Sequence, residues 1–280
     1  MRTFAYIICL IFTFGELLSQ SFLKPNSDVD WAQHEITLND QDKLSIIRNI
    51  MEFHRLPPTP FGSSTDDSYL LSNFHITDVD NDGLTDVLYD GPYGEGYAAI
   101  IYQNKGNNIF KSDIIPGKLV EINRSELTGI LEFKSYQMSC CGGVWNYLHT
   151  TTIVPRANSI EVVIVVQDVY LDATKEPSNF IDKIHFTTIN PEYKLRATPK
   201  IESTFDQWPE KFDGNTVALY PEGSKGIAIA KETDETGRIW WFVIMENNLN
   251  PVKSIMYNNN DPGDTRSLGW MSSRYVKVVQ

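Results

Sequence analysis

The chain has 280 residues, of which 41% are hydrophobic, an ordinary content for a globular protein and enough length for about two domains. Its formal net charge is −12 at pH 7, and it contains no basic run. This charge argues against nucleic acid and anionic membrane surfaces as the main partners.

The first nineteen residues have the pattern of a secretory signal peptide. Arg2 provides a short positive region, residues 5–14 are largely apolar, and the small residue Ser19 precedes a cleavage point. The apolar stretch is too short to span a bilayer securely, which disfavours the alternative of a retained anchor. We therefore predict a signal peptide over 1–19 and an exported protein with no transmembrane segment after cleavage. Its place is the periplasm, the cell surface or the extracellular space.

One helix is predicted early in the mature chain, over residues 40–54. Asn39 or Asp40 can cap it, and apolar residues recur at i, i+4 and i+7 from Ile46. Beyond it the chain is typical of a mainly β protein, and the apolar run 160–166 predicts a central strand that is covered on both faces. The remaining sequence up to the proline-rich stretch predicts strands at 70–76, 85–90, 97–103, 118–123, 128–136, 145–154, 160–170 and 183–189.

A nine-residue acidic loop lies between two of these strands. Carboxylates stand at loop positions 1, 3, 5 and 9, glycine stands at position 6, and a backbone carbonyl at position 7 completes a ring of oxygens. The ligands predicted from this spacing are Asp78, Asp80, Asp82, the Leu84 carbonyl and Asp86. Four carboxylates this close repel one another without a cation, and Ca²⁺ suits them best because it accepts many oxygen ligands in flexible geometry. The alternative is a solvated acidic turn with no metal.

The flanks of the loop identify its type. An EF-hand requires flanking helices and a glutamate at position 12, where this chain has Tyr89. Strand–DxDxDGxxD–strand resembles the integrin-α-type calcium repeat (FG-GAP, also called VCBS), over roughly residues 69–111. The resemblance implies calcium binding at one blade of a propeller. Only one such loop is present, and a closed propeller needs about four blades of ~40–50 residues. We therefore predict a calcium-binding β-sheet domain over 20–195 that is not a full propeller.

Two adjacent cysteines follow, Cys140 and Cys141. In an oxidising compartment they can form a vicinal disulfide, or they can remain two reduced thiols on opposite sides of a strand. His149 is the nearest histidine, so a metal site is poorly supported there, while Cys141 with His149 gives an alternative nucleophile and base.

Prolines at 191, 199 and 209 indicate a boundary, after which short strands predict a small β-barrel over 205–280. The pair Trp240–Trp241 and a strand that contains Gly269, Trp270 and Tyr275 resemble the bacterial Src-homology-three-like domain. A long Asn-rich insertion, residues 247–264, departs from that family. The family resemblance implies partner recognition by this barrel. Because adjacent strand residues face opposite ways, one Trp of the pair is expected to be exposed, unless the insertion covers it. The candidate partner-binding residues are Trp240, Trp241, Trp270 and Tyr275.

These patterns predict an exported, non-enzymatic, calcium-binding protein. Its C-terminal barrel would recognise an envelope partner, either a peptidoglycan peptide or a protein. No residue is assigned a catalytic role, and Ca²⁺ is the one cofactor expected. A secreted enzyme or enzyme inhibitor that uses the Cys140, Cys141 and His149 region is the alternative function. A scaffold whose calcium serves only stability is a third.

Overall fold

The computed structural model describes residues 21–25, 28–54, 66–104, 106, 110–138, 144–156, 159–203, 214–246, 253–254 and 264–279. The predicted signal peptide, Cys140 and Cys141 lie outside the described residues. Within those ranges, no helix has the length and apolar character needed to cross a membrane.

The described chain is mainly β, with two α-helices and sixteen strands. The helices are α1 (Asp40–His54) and α2 (Asp67–Asn73). The strands are β1 (Phe74–Thr77), β2 (Asp86–Tyr93), β3 (Gly96–Asn104), β4 (Phe110–Pro116), β5 (Lys118–Arg124), β6 (Leu131–Met138), β7 (Trp145–Arg156), β8 (Ser159–Leu171), β9 (Phe180–Thr188), β10 (Tyr193–Arg196), β11 (Thr216–Tyr220), β12 (Lys225–Thr233), β13 (Ile239–Met245), β14 (Lys253–Ser254), β15 (Asp264–Ser272) and β16 (Val276–Val278).

The helix predicted over 40–54 is confirmed as α1. The Asn39 side-chain oxygen accepts the backbone N–H of Asp42 at 2.9 Å, as expected of a helix cap. Ile47 and Ile50, on the apolar stripe, are buried. They pack on one face of a small antiparallel sheet in the order β1–β2–β3–β4, together with α2. The helices thus cover one face of this sheet.

The strand predicted at 70–76 is wrong in its first half, because residues up to Asn73 belong to α2. Asp66 caps this helix by accepting the Tyr69 N–H at 2.8 Å, and Leu70 is buried among side chains of α1 and the small sheet. A cap and a tertiary contact therefore outweigh the β-propensity of this aromatic segment. The described chain has two helices rather than the one predicted.

The second face of the small sheet packs on the large sheet. Leu88, Ala99 and Ile101 of the small sheet share one buried cluster with Phe133 and Ile153, which lie in β6 and β7. This part of the molecule therefore has three layers: the two helices, the small sheet and part of the large sheet. The acidic loop lies at the end of the small sheet where β1 turns into β2.

The large sheet has twelve strands and runs β16–β9–β12–β13–β15–β8–β7–β6–β5, with β10, β11 and β14 joined beside it. It continues across the boundary predicted near 191–210, because β12 pairs with β9 and β15 pairs in parallel with β8. Arg266 of β15 and Asp168 of β8 reinforce this parallel pair with two bonds of 2.6 and 2.7 Å. The sheets formed by the described strands are open, so the closed barrel predicted for 205–280 is not formed by them. The C-terminal strands β12 and β15 therefore hydrogen-bond to β9 and β8, which precede residue 195. In a separate barrel these bonds would have to form within residues 205–280.

The prediction that 160–166 is covered on both faces is also wrong. Val165 is 44% exposed. Within the described residues, β15 pairs with β8 from Val166 to Val169, and β7 pairs with β8 along its whole length. Apolar content alone therefore does not show that a strand is covered on both faces.

Candidate metal centre

The loop from Asp78 to Thr85 is closed by its own side chains and backbone. The Asp78 carboxylate accepts the backbone N–H groups of Asp82 at 3.2 Å and Gly83 at 3.0 Å. Asn81 and Gly83 have φ values of 59° and 83°, in the left-handed region that Asn and Gly tolerate best. These turns fold the chain back so that alternate side chains point into the loop.

Three of the predicted ligands converge. Oxygen atoms of Asp78, Asp80 and Asp86 lie within 4.8 Å of one another. Asp80 and Asp86 are buried, and Asp78 is partly buried. Asp82 is exposed, and its carboxylate accepts the Leu84 N–H at 2.8 Å. The described loop therefore gathers positions 1, 3 and 9 more closely than position 5.

The Asp86 carboxylate is held from two sides at the start of β2. It accepts the N–H of Val79 at 2.9 Å and the N–H of Asn104 at 2.8 Å. Burial raises the pKa of Asp86 to about 7, and the charges of Asp80 and Asp82 act in the same direction, against the two backbone bonds. Asp86 thus links the loop to β3 and places a carboxyl group where negative charge is unfavourable without a cation.

Gln103 is a fourth polar group at this site, and the sequence analysis missed it. It is fully buried in β3, and its amide N–H donates to the Asp80 carboxylate. Its carbonyl oxygen, Oε1, has no hydrogen-bond partner among the described residues. The signal in the sequence was a glutamine at the end of an apolar strand, but its meaning depends on the pairing of β3 with the hairpin. Neutral amide oxygens are ordinary ligands of hard cations.

The four candidate partner-binding residues do not form one exposed surface. Trp240 and Trp270 are 1% and 0% exposed, and their indole N–H groups donate to the Asp234 carboxylate and to the Lys175 carbonyl. Trp241 is partly buried against Phe186 of β9, with ring centroids 5.9 Å apart. Tyr275 is 49% exposed.

His149 of β7 is buried at 3% exposure. One ring nitrogen, Nε2, lies 3.0 Å from the Gln137 side-chain oxygen, and the other has no hydrogen-bond partner among the described residues. Burial lowers the pKa of His149 to about 4, so the ring is neutral near pH 7. The described neighbours of His149 thus enclose a neutral ring. Its predicted partners Cys140 and Cys141 fall outside the described chain.

Comparison with known proteins yields no significant match, either to a protein-family model, to a curated protein or to a solved structure.

Proposed function

We propose that the chain is an exported calcium-binding protein in which Asp78, Asp80 and Asp86 hold one Ca²⁺. The observation that carries this proposal is the convergence of their carboxylate oxygens within 4.8 Å in a loop closed by its own backbone. The Leu84 carbonyl and Asp82 are the remaining ligands expected from the loop spacing. Carboxylate, carbonyl and amide oxygens are the donors that Ca²⁺ prefers, and its irregular coordination suits a loop of this kind.

The contacts of the loop support a structural role for the ion. Asn81 donates to the Thr128 carbonyl at 3.1 Å, and the Val79 carbonyl accepts the N–H of Leu131 at 3.0 Å. Arg124 donates to the Asp78 carbonyl at 3.1 Å. These three contacts join the loop to β5, β6 and the turn between them. A bound ion would therefore stabilise the junction of the small and the large sheet.

Partner recognition through the C-terminal strands belongs to the same proposal. The envelope partner would be a peptidoglycan peptide or a protein, and the half-exposed Tyr275 with the partly buried Trp241 are the candidate contacts. The buried Trp240 and Trp270 support the core instead. The enzyme or inhibitor alternative gains no support from the described residues, because His149 is enclosed.

Thermal unfolding with and without Ca²⁺ tests the metal site. A ligand that binds only the native state stabilises it by roughly 2.7 kcal/mol at a hundredfold excess over its Kd. We expect Ca²⁺ to raise the Tm of the wild type and a chelator to reverse it. The double variant Asp78→Asn, Asp80→Asn should lose the increase, while Asp182→Asn on the exposed side of β9 should keep it. An unchanged Tm of the chelated wild type would refute the calcium proposal.

The recognition proposal is tested by a separate binding experiment on the same purified protein. Soluble peptidoglycan fragments are titrated into the calcium-loaded protein, and Tyr275→Ala is the test variant because an exposed side chain can be removed without unfolding. We expect binding in the wild type that weakens in the variant. Equal binding by both would place recognition elsewhere.

A further inference from the structure

A polar cavity of about 360 Å³ lies at the other end of β2 from the acidic loop. Side chains from the N-terminal lead-in, from the end of α2 and from four strands line it. They include Trp31, Asn73, His75, Asp90, Tyr97 and Lys118. None of them belongs to the proposed calcium site.

His75 presents an acceptor to this cavity. Its Nδ1 lies 2.5 Å from the carboxylate of Glu35, which also accepts Lys43 Nζ at 2.9 Å. Burial lowers the pKa of His75, so the ring is neutral near pH 7 and donates its one proton to Glu35. In the described part of the chain no residue bonds to the second nitrogen, Nε2, whose lone pair is left for a ligand. Trp31 stacks on the ring at 3.6 Å and fixes its orientation.

Three of the donors on the wall are engaged within the protein. Asn73 donates its amide N–H to the Tyr69 carbonyl at 2.9 Å. Ser72 donates its hydroxyl to the Ser68 carbonyl at 2.7 Å, and Lys118 Nζ lies 2.6 Å from the Asp28 carboxylate.

The acceptors, in contrast, are left to the cavity. Asn73 keeps its amide oxygen, which lies beside Gly91, where a Cβ would come within 2.8 Å of it. Among the described residues, the one hydrogen bond that Asp90 accepts is a long one of 3.5 Å from the Leu119 N–H. A ligand that satisfies these groups must bring hydrogen-bond donors, because acceptors without partners are unfavourable.

The charges and the aromatic rings decide what kind of donor fits. Lys118 and Asp28 balance each other, which leaves the Asp90 carboxyl as the excess group. Tyr97 lines the cavity and is 50% exposed, and an aromatic ring attracts cations. We infer that this cavity binds a protonated primary amine, with Asp90, the Asn73 oxygen and His75 Nε2 as its acceptors. The three N–H donors of an ammonium group match three acceptors.

The amine can come from a free small molecule or from a lysine side chain of a peptide, and two probes separate these sources. Calorimetric titration of the calcium-loaded full chain at pH 7 uses n-butylammonium and the capped peptide acetyl-Ala-Lys-Ala-amide. The neutral comparators are n-butanol and glucose. We expect saturable binding of n-butylammonium and none of n-butanol. Additional binding of the peptide assigns the site to a protein-borne amine, and its absence to a free amine, both within the inference.

Three variants test the assignment to this cavity. Asp90→Asn removes the charge-assisted contact and should weaken n-butylammonium binding by roughly tenfold or more. Tyr97→Ala, at an exposed position that tolerates truncation, should weaken it severalfold even if Asp90→Asn fails to fold. Asp182→Asn removes one surface carboxylate outside the cavity and should leave binding unchanged. Glucose binding without amine binding, equal affinity in wild type and both cavity variants, or no saturable binding of either amine would overturn the inference.

Discussion

Functional sites in the acidic loop and in the C-terminal strands were both predicted from short motifs. Three of the motif residues converge in the loop, whereas in the strands most of the motif residues are buried or partly buried. In the loop, Asp78, Asp80 and Asp86 lie within nine positions and their oxygens converge. In the C-terminal strands, the motif residues Trp240 and Trp270 are enclosed rather than presented. A motif contained in one turn carries its own geometry. A motif spread over strands depends on what packs on either face.

Alternation shows why the Trp pair was misleading. Trp240 and Trp241 do point to opposite faces of β13, as the sequence predicts. One face is covered by a cluster that includes Leu23 and Tyr170, and the other packs on Phe186. Both faces are thus covered by residues from before position 195. The C-terminal sequence by itself does not predict that residues from earlier in the chain bury these two tryptophans.

The largest expected loss of stability comes from truncating Trp270, which is fully buried. Trp270→Ala should lower the free energy of unfolding by about 3–5 kcal/mol, the range for truncating a buried aromatic side chain. Its ring packs on Phe242 with centroids 5.3 Å apart, and its N–H bond to the Lys175 carbonyl is 2.8 Å long. Urea denaturation of the full chain measures the loss.

Trp241→Ala is the matched control, because Trp241 is only partly buried on the neighbouring strand. Its loss should be clearly smaller, and the increase of Tm on adding Ca²⁺ should stay the same in both variants. Equal losses would mean that the two faces of the sheet at β13 and β15 are equally important. A smaller calcium effect in Trp270→Ala would mean that the two regions are coupled.

Local signals predicted much of the secondary structure, and non-local ones account for the errors. The cap and apolar stripe of α1 lie within its own sequence, and so do the alternating strands. In contrast, α2 depends on a contact between Leu70 and α1, and the exposure of Val165 depends on what packs on each face of β8. At the metal centre the loop spacing predicted four carboxylate ligands, of which three converge, while Gln103 required the register of β3. Strand pairing brings such distant residues together, and no local pattern encodes it.

The large sheet and the small sheet should respond to pH with opposite signs. The pKa of His149 is lowered by burial from 6.5 to about 4. Between these values the unfolded chain binds a proton that the folded chain does not. The free energy of unfolding should therefore fall by about 3 kcal/mol as pH drops from 6.5 to 4, with no effect of this group above 6.5. His149→Gln should remove that fall, as measured by urea denaturation across this range.

Asp90 of the small sheet supplies the opposing case. Burial raises its pKa from 3.8 to about 6, so the folded chain binds the proton first. As pH falls from 6 to 3.8, Asp90 should add about 3 kcal/mol to the free energy of unfolding relative to Asp90→Asn. The two effects partly cancel in the wild type. If His149→Gln and Asp90→Asn changed the pH profile in the same direction, the burial of one of the two groups would be misassigned.

The smallest expected effect, that of replacing a left-handed glycine, gives the most direct comparison of the acidic loop with the C-terminal strands. Gly83 in the acidic loop and Gly223 before β12 share a φ of 83°, and a Cβ added at either meets no atom within 4 Å. Alanine at each should therefore cost about 1 kcal/mol for the left-handed backbone alone. The cost should be the same in the absence of Ca²⁺, as measured by denaturation in a chelator.

Calcium should then separate the two variants. The Gly83 N–H bonds to the Asp78 carboxylate at 3.0 Å, so a backbone shift that relieves strain at position 83 also moves a proposed ligand. The Gly223 N–H bonds to the Thr188 carbonyl at 2.8 Å, in a turn that contributes nothing to the acidic loop. Gly83→Ala should thus reduce the Tm increase on adding Ca²⁺, and Gly223→Ala should leave it at the wild-type value. The same increase in both variants would show that the left-handed glycine is not needed to position the ligands, because a non-glycine residue at position 83 would then hold Asp78 equally well.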